Sequence, residues 1–483
     1  VGIRLVGDDP VEWRGIDLLG SDATIQDLFV DVSGVTGEAT GIRAVSSRVV
    51  LDGSSTIGVR AMSGTAYGIW LEDSPDSEID ADITVTNGTG ATAVGALRVT
   101  GDGEGIEVRQ SDLSVVGQTS DTVGAFLDEC AGASPVIVDT RIAVDGAAAT
   151  QIEGIRSIGD CHPRIEGSTV EVRGANAGRT TGVRCEPGTD TPSACVIVDN
   201  QIRTENARSL PGPSVYGTGV ACGPNSCETI ERNSIVGLDV QNAGCYRSCY
   251  YEAIGVDLTS TNTFVSRNVI RAGCGDRSAG IRAVGSPTEG RVRIENNLVF
   301  GRSTGGQCGQ MTDGVFTSAA IVSGTDIDVH SNTLDGGGST QPVTSCSSAA
   351  VIGGLGAYRN NVLLAGVCPE RYGFSNTTLS FYPMTSVGFP SALANNDFNP
   401  ISVTALYLVD SMTTITTIDG VNQLPFASNN LSAPPMFSTD FHLTQGSPCI
   451  DAGTSEGAPV LDLDGQARDR RPDVGADEWV ASD

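Results

Sequence analysis

Of the side chains able to carry chemistry, three histidines, thirteen cysteines and a large excess of carboxylates stand out in this 483-residue chain. The 58 acidic residues face 29 basic ones, giving a net charge of -29, and every basic residue is arginine. Nucleic acid and anionic membrane surfaces are therefore poor partners. Glycoside hydrolysis needs two carboxyl groups about 5–10 Å apart, and so many acids supply such pairs by chance. Proton abstraction beside a carboxylate needs a cation to neutralise it and a base, yet lysine is absent. His330 precedes Ser331 and Asn332 in a turn and reads as a solvated position. No residue earns a catalytic assignment.

Zinc suits few of the cysteines, because only His162 adjoins one, Cys161. Disulfides account for them better and imply an oxidising compartment. Cys130 and Cys161, or Cys185 and Cys222, fall at matching repeat positions. Local alternatives are Cys185 with Cys195, Cys222 with Cys227, and Cys245 with Cys249. Cys274 with Cys308 and Cys346 with Cys368 are further pairs, leaving Cys449 over. Asp462-x-Asp464-Gly465 is a weak calcium candidate, since a full calcium loop with its bidentate Glu is missing. No other metal or cofactor is expected.

The elements that must position these groups repeat. Gly15-Ile16, Gly41-Ile42, Gly68-Ile69, Gly95-Ala96, Gly124-Ala125, Gly154-Ile155, Gly182-Val183, Gly219-Val220, Gly255-Val256 and Gly280-Ile281 recur at steps of 25 to 37 residues, continuing through Ala320 and Ala350. That period signals stacked units. Midway along each unit comes a small polar residue: Ser111, Thr140, Ser168, then Asn200, Asn233, Asn268, Asn297, Asn332 and Asn361, with Asn396 and Asn429 as later members. Stacked asparagines can bond from rung to rung at about 4.8 Å, and Asn accepts the left-handed backbone of a sharp turn. Short alternating runs such as Val196-Ile197-Val198 supply strands, and no stretch keeps a helical period.

This pattern resembles the right-handed parallel β-helix proteins of the pectate-lyase-like superfamily. The resemblance implies an all-β fold, a single right-handed solenoid of about twelve coils. It divides the chain into a β-helix over residues 1–366, irregular terminal coils over 367–437, and a capping segment over 438–483. The polygalacturonase-like signatures of that superfamily (Gly-His-Gly, Asn-Thr-Asp, paired Asp) are not found. The tail, with Ser447-Pro448-Cys449-Ile450-Asp451-Ala452-Gly453 and Pro472-Asp473-Val474-Gly475-Ala476-Asp477-Glu478, resembles secreted bacterial β-helix proteins of the choice-of-anchor type. That implies an extracellular or cell-surface protein. The tail is expected to cap the last coil, with Arg468 pairing Asp473 or Glu478.

Insertions at 204–218, 236–253 and 300–318 fall between the polar turn and the next glycine, so they should share one edge. The middle one concentrates Tyr246, Arg247, Tyr250, Tyr251 and Glu252, a candidate surface for sugar or protein contact. No apolar run approaches the roughly 20 residues of a membrane span. Val1 to Leu5 resemble Gly41 to Val45 and would leave a coil face open. The chain reads as a trimmed form of an exported precursor, with head-to-tail self-assembly as one way to cover that face. The expected role is structural, adhesive or fibre-forming, and the alternative is a polysaccharide lyase or glycoside hydrolase beside the long loops.

Overall fold

The computed structural model describes residues 2–6, 12–118, 121–146, 150–174, 178–188, 194–206, 215–240, 251–259, 262–284, 291–302, 315–338, 345–376, 388–401, 403–409 and 413–481. It is all-β, 61% strand and 1% helix, wound into a β-solenoid of about 11 turns. Two compact units divide it: Val1–Glu228 with Asp239–Cys245, and Thr229–Leu238 with Tyr246–Asp483.

In the first unit each coil contributes three strands. Asp121–Asp128, Val136–Val138 and Arg141–Gly146 are followed by Gln151–Gly159, Arg164–Glu166 and Thr169–Gly174. Each strand pairs in parallel with its counterpart one coil on, so Ala125 faces Ile155, Ile137 faces Ile165 and Ile142 faces Val170. The alternating apolar residues point inward and are wholly buried. Each contributes about 1.5–3 kcal/mol by leaving water.

The recurring glycine has a steric cause. A Cβ on Gly154 would sit 2.5 Å from the Gly182 carbonyl oxygen of the next coil and collide with Val170. One alignment shifts: Leu97 faces both Ile69 and Ala125, so Ala96 rather than Gly95 holds this position. Gly2–Val6 also differs from expectation. Gly2 pairs with Phe29 and Ile3 with Val30, while Ile16 is the partner of Ile42. The first strand thus joins a different sheet from the glycine strands, because Ile3 and Leu5 alternate in step with Val30 and Val32.

Outside this unit's glycine sheet runs a column in strict register: Arg43, Trp70, Arg98, Phe126, Arg156 and Arg184. Guanidinium groups lie over the rings, Arg98 at 4.7 Å from the Trp70 centroid and Arg156 at 5.4 Å from that of Phe126. Glu153, fully buried, pairs with Arg156 and, at 3.0 Å, with Arg184. Among the described residues three disulfides close here: Cys130–Cys161 between coils, and the local pairs Cys185–Cys195 and Cys222–Cys227. Cys185 does face Cys222 in register, yet each bridges locally.

In the second unit the buried turn residues form a continuous amide ladder. Side-chain Nδ2 of Asn233, Asn268, Asn297, Asn332, Asn361 and Asn396 each donates to Oδ1 of the next rung at 2.9–3.0 Å, ending on Asn430. The last rung is therefore Asn430, not Asn429. The left-handed backbone belongs to the residue before each rung: Arg267, Asn296, Ser331, Asn360, Asn395 and Asn429 have φ of 52–56°. The rung itself turns its side chain inward, which leaves its neighbour to make the bend.

Parallel pairing continues beyond residue 366. Phe374 aligns with Val351 and Tyr407, and Leu393 with Tyr358 and Ala427. Phe374 and Tyr407 rings stack at 5.1 Å. An antiparallel strand, Thr413–Ile415, and a short helix, Ile418–Asn422, capped by Thr417, close this end. Asn422 terminates the ladder by accepting from Asn430 Nδ2 at 3.0 Å.

The expected tail cap lies elsewhere. Residues 449–479 run as a strap along the flank, held by the left-handed asparagines. Asn395 and Asn360 donate to the carbonyls of Ala452 and Thr454 at 3.3 and 2.7 Å, and Asn296 donates to that of Leu461 at 2.5 Å. Arg468 donates to Asn296 Oδ1 at 2.9 Å and pairs with Glu478 at 3.0 Å. The strap follows the flank because its orphan carbonyls find a column of amide donors there. Cys346–Cys368 also closes in this unit. Cys274 is disulfide-bonded too, and Cys449 is free and buried.

Candidate functional site

The middle strands of four successive coils, Val292–Glu295, Ile327–His330, Gly356–Arg359 and Ala392–Ala394, form one flat flank of the second unit. Beside it the strap forms a wall. Between them lies a cleft of about 380 Å³ lined by Arg291, Arg293, Glu295, Asp328, His330 and Arg359 on the flank and by Glu456 and Gly457 on the strap. Alternation along each strand sends every second side chain outward into it.

Most of these charges are paired. Arg291 bonds Asp326 at 2.9 Å and Asp328 at 3.2 Å, Arg293 bonds Glu295 at 2.5 Å, and Arg359 bonds Glu456 at 3.1 Å. His330 differs. It is 6% exposed rather than solvated, because the strap covers it, and its Nδ1 is buried without a partner among the described residues. A Cβ on Gly457 would meet the imidazole ring, so only glycine lets the strap approach so closely. Burial first, and the Arg359 charge second, push His330 down to about 4, so the ring is neutral at pH 7. Burial likewise raises the Glu295 carboxyl.

Of the tyrosine-rich insertion, Tyr246, Arg247 and Tyr250 lie outside the described residues, as do Cys245, Cys249 and Cys308. Tyr251 is 1% exposed and opens strand Tyr251–Leu258, so its side chain belongs to the interior and not to a contact surface. Glu252 bonds Arg282 at 2.9 Å. Asp462 is also committed to the fold. Its carboxylate accepts the N–H groups of Asp464, Gln466 and Glu478 at 3.0, 2.7 and 3.0 Å, leaving it poorly placed for calcium. Asp464 instead turns to His442, 2.7 Å away. Arg468 pairs with Glu478 as expected, and it meets Asp473 through the latter's backbone carbonyl at 3.4 Å. Sequence reasoning missed the cleft because one wall comes from the strap.

The parallel register of all three strand sets decides the architecture. This chain is a parallel β-helix. Neither a protein-family model nor a curated protein matches it. The crystal structure of pectate lyase Pel9A is similar over 90% of this β-helix and 88% of that chain, at 12% identity and a TM-score of 0.32. Among the described residues no helix is long and apolar enough to cross a membrane.

Strap docking should depend on pH. Burial raises Asp397 to about 7 and Asp473 to about 6. Asp397 accepts the Ala433 N–H at 2.9 Å, and Asp473 those of Asp451 and Trp479 at 2.7 and 2.6 Å. A carboxyl raised on folding stabilises fully below its unfolded value near 4, and that contribution is lost as pH rises through its folded value. His330, lowered on folding, acts oppositely: its contribution is complete above about 6.5 and is lost as pH falls toward 4. Protection factors over residues 449–479, corrected for intrinsic exchange, should therefore fall as pH rises from about 4 to about 8, because the loss at two carboxyls outweighs the gain at one histidine. A flat profile would contradict these assignments.

Proposed function

We propose that this β-helix is a non-catalytic extracytoplasmic structural or adhesive protein, exported by a bacterium and anchored or assembled at its surface. The observation that carries the reading is how the flank charges are used. The Arg43, Trp70, Arg98, Phe126, Arg156 and Arg184 column spends its cations on rings and carboxylates of neighbouring coils, an arrangement that stiffens a rod. Four disulfides among the described residues favour an oxidising compartment. Fibre formation, if it is the role, would proceed head to tail, since a heterologous contact that does not close gives a filament.

A second reading, an enzyme acting on a polysaccharide, is favoured by one observation: neutral His330 and three arginines face a common cleft. A panel of neutral and uronate-bearing polysaccharides, assayed for new reducing ends and unsaturated products, separates the two. The structural reading expects no product from the wild type or from His330→Ala, with fibres or surface attachment visible by electron microscopy. Turnover that falls 100-fold or more in His330→Ala, the scale of a lost acid–base group, would replace it with the enzyme reading.

A further inference from the structure

Three separate stretches of the C-terminal segment converge on one point away from the cleft. His442, Asp464 and Asp477 each bring a ligand atom within 4.8 Å of the others. His442 Nε2 lies 2.7 Å from Asp464 Oδ2, and its Nδ1 lies 3.2 Å from Asp440 Oδ2. A neutral imidazole carries one N–H. When Nδ1–H donates to Asp440, Nε2 turns a lone pair toward Asp464 and Asp477, and only a proton or a cation can hold that arrangement together. Carboxylate support of the second ring nitrogen is the usual partner of a metal-binding histidine.

Asp477 supplies an independent observation. It is 4% exposed, and Leu443 N–H reaches its Oδ2 at 2.7 Å. Its other oxygen has no hydrogen-bond partner among the described residues. That oxygen reaches solvent, so it is open to a ligand beside the imidazole. A divalent ion would balance the two ligating carboxylates.

We propose that His442, Asp464 and Asp477 bind one divalent first-row transition ion, with Asp440 orienting the imidazole. One nitrogen and two carboxylate oxygens suit Zn²⁺ or Mn²⁺, whereas Ca²⁺ selects oxygen donors alone. The ion takes the place of the proton between Nε2 and Asp464. It ties the Phe441–Leu443 stretch, the Asp462–Gly465 loop and the end of the strap together, so it is a clasp for the strap.

The test uses the full chain, stripped with a chelator and titrated with Zn²⁺, Mn²⁺ and Ca²⁺ separately, followed by calorimetry and thermal unfolding. One equivalent of Zn²⁺ or Mn²⁺ should bind and raise the unfolding temperature, with Ca²⁺ binding at least tenfold more weakly. His442 and Asp464 side chains are 36% and 41% exposed, so His442→Ala and Asp464→Asn should fold, as circular dichroism will check, and lose the binding. Asp440→Asn should weaken it about 10- to 100-fold, and His162→Ala should leave it unchanged. Absence of Zn²⁺ and Mn²⁺ binding, unchanged affinity in His442→Ala, Ca²⁺ binding as tightly, or loss in His162→Ala would overturn the proposal.

Discussion

Asn297→Leu should destabilise the second unit by about 3 kcal/mol or more, because it orphans several buried groups that cost about 1–3 kcal/mol each. Asn297 Nδ2 donates to the carbonyls of Val265 and Glu295, each at 2.9 Å, and to Asn332 Oδ1 at 3.0 Å. Its Oδ1 accepts both the backbone N–H and the Nδ2 of Asn268 at 2.9 Å. Leucine replaces none of these. Asn297→Ser should lose less, since Ser168 serves at the same turn in the first unit, bonding the Thr140 N–H at 3.2 Å and the Glu166 carbonyl at 3.0 Å. Denaturant midpoints of the two variants give the comparison, and equal stability of Asn297→Leu and wild type would refute the ladder's energetic role.

Gly154→Val is expected to cost about 3 kcal/mol, the upper range of overpacking in a filled interior. The new side chain would meet the Gly182 carbonyl oxygen 2.5 Å from its Cβ and the Val170 methyl beside it. Neither can move far, because Val170 is fully buried and the carbonyl belongs to the neighbouring coil. Gly154→Ala should cost less, since Ala96 already fills this position one coil before Gly124. Gly58→Ala is the control: its Cβ would meet only the Val30 carbonyl oxygen, at 3.7 Å. Thermal unfolding of the three variants should rank them in that order, and a Gly58→Ala loss matching Gly154→Val would remove the steric explanation.

The repeating parts were legible because each coil imposes the same constraint again. The glycine at 154 and the asparagine at 297 recur wherever a Cβ would strike the next carbonyl or an amide must bridge two rungs. Errors arose where two adjacent residues looked alike: Gly95 beside Ala96, and Asn429 beside Asn430. The strap was illegible for a different reason. It occurs once, and its contacts span up to 172 residues, from Asn296 to Arg468. A signal existed in the doublets Asn296-Asn297, Asn360-Asn361 and Asn395-Asn396, whose first members hold the strap. The inward side chain of Tyr251 and the burial of His330 could not be read from residue type, since both depend on which neighbour covers them.

A stack of coils is ordinarily a chain of nearest-neighbour couplings, and each end can fray without consulting the middle. The strap changes that arithmetic by joining Asn296, Asn360 and Asn395, which no single pairing connects. Opening the Asn360 coil means releasing the strap, and releasing it removes support from the coils on either side. These coils should therefore exchange their amide hydrogens as one block, so that local breathing is replaced by a single larger opening.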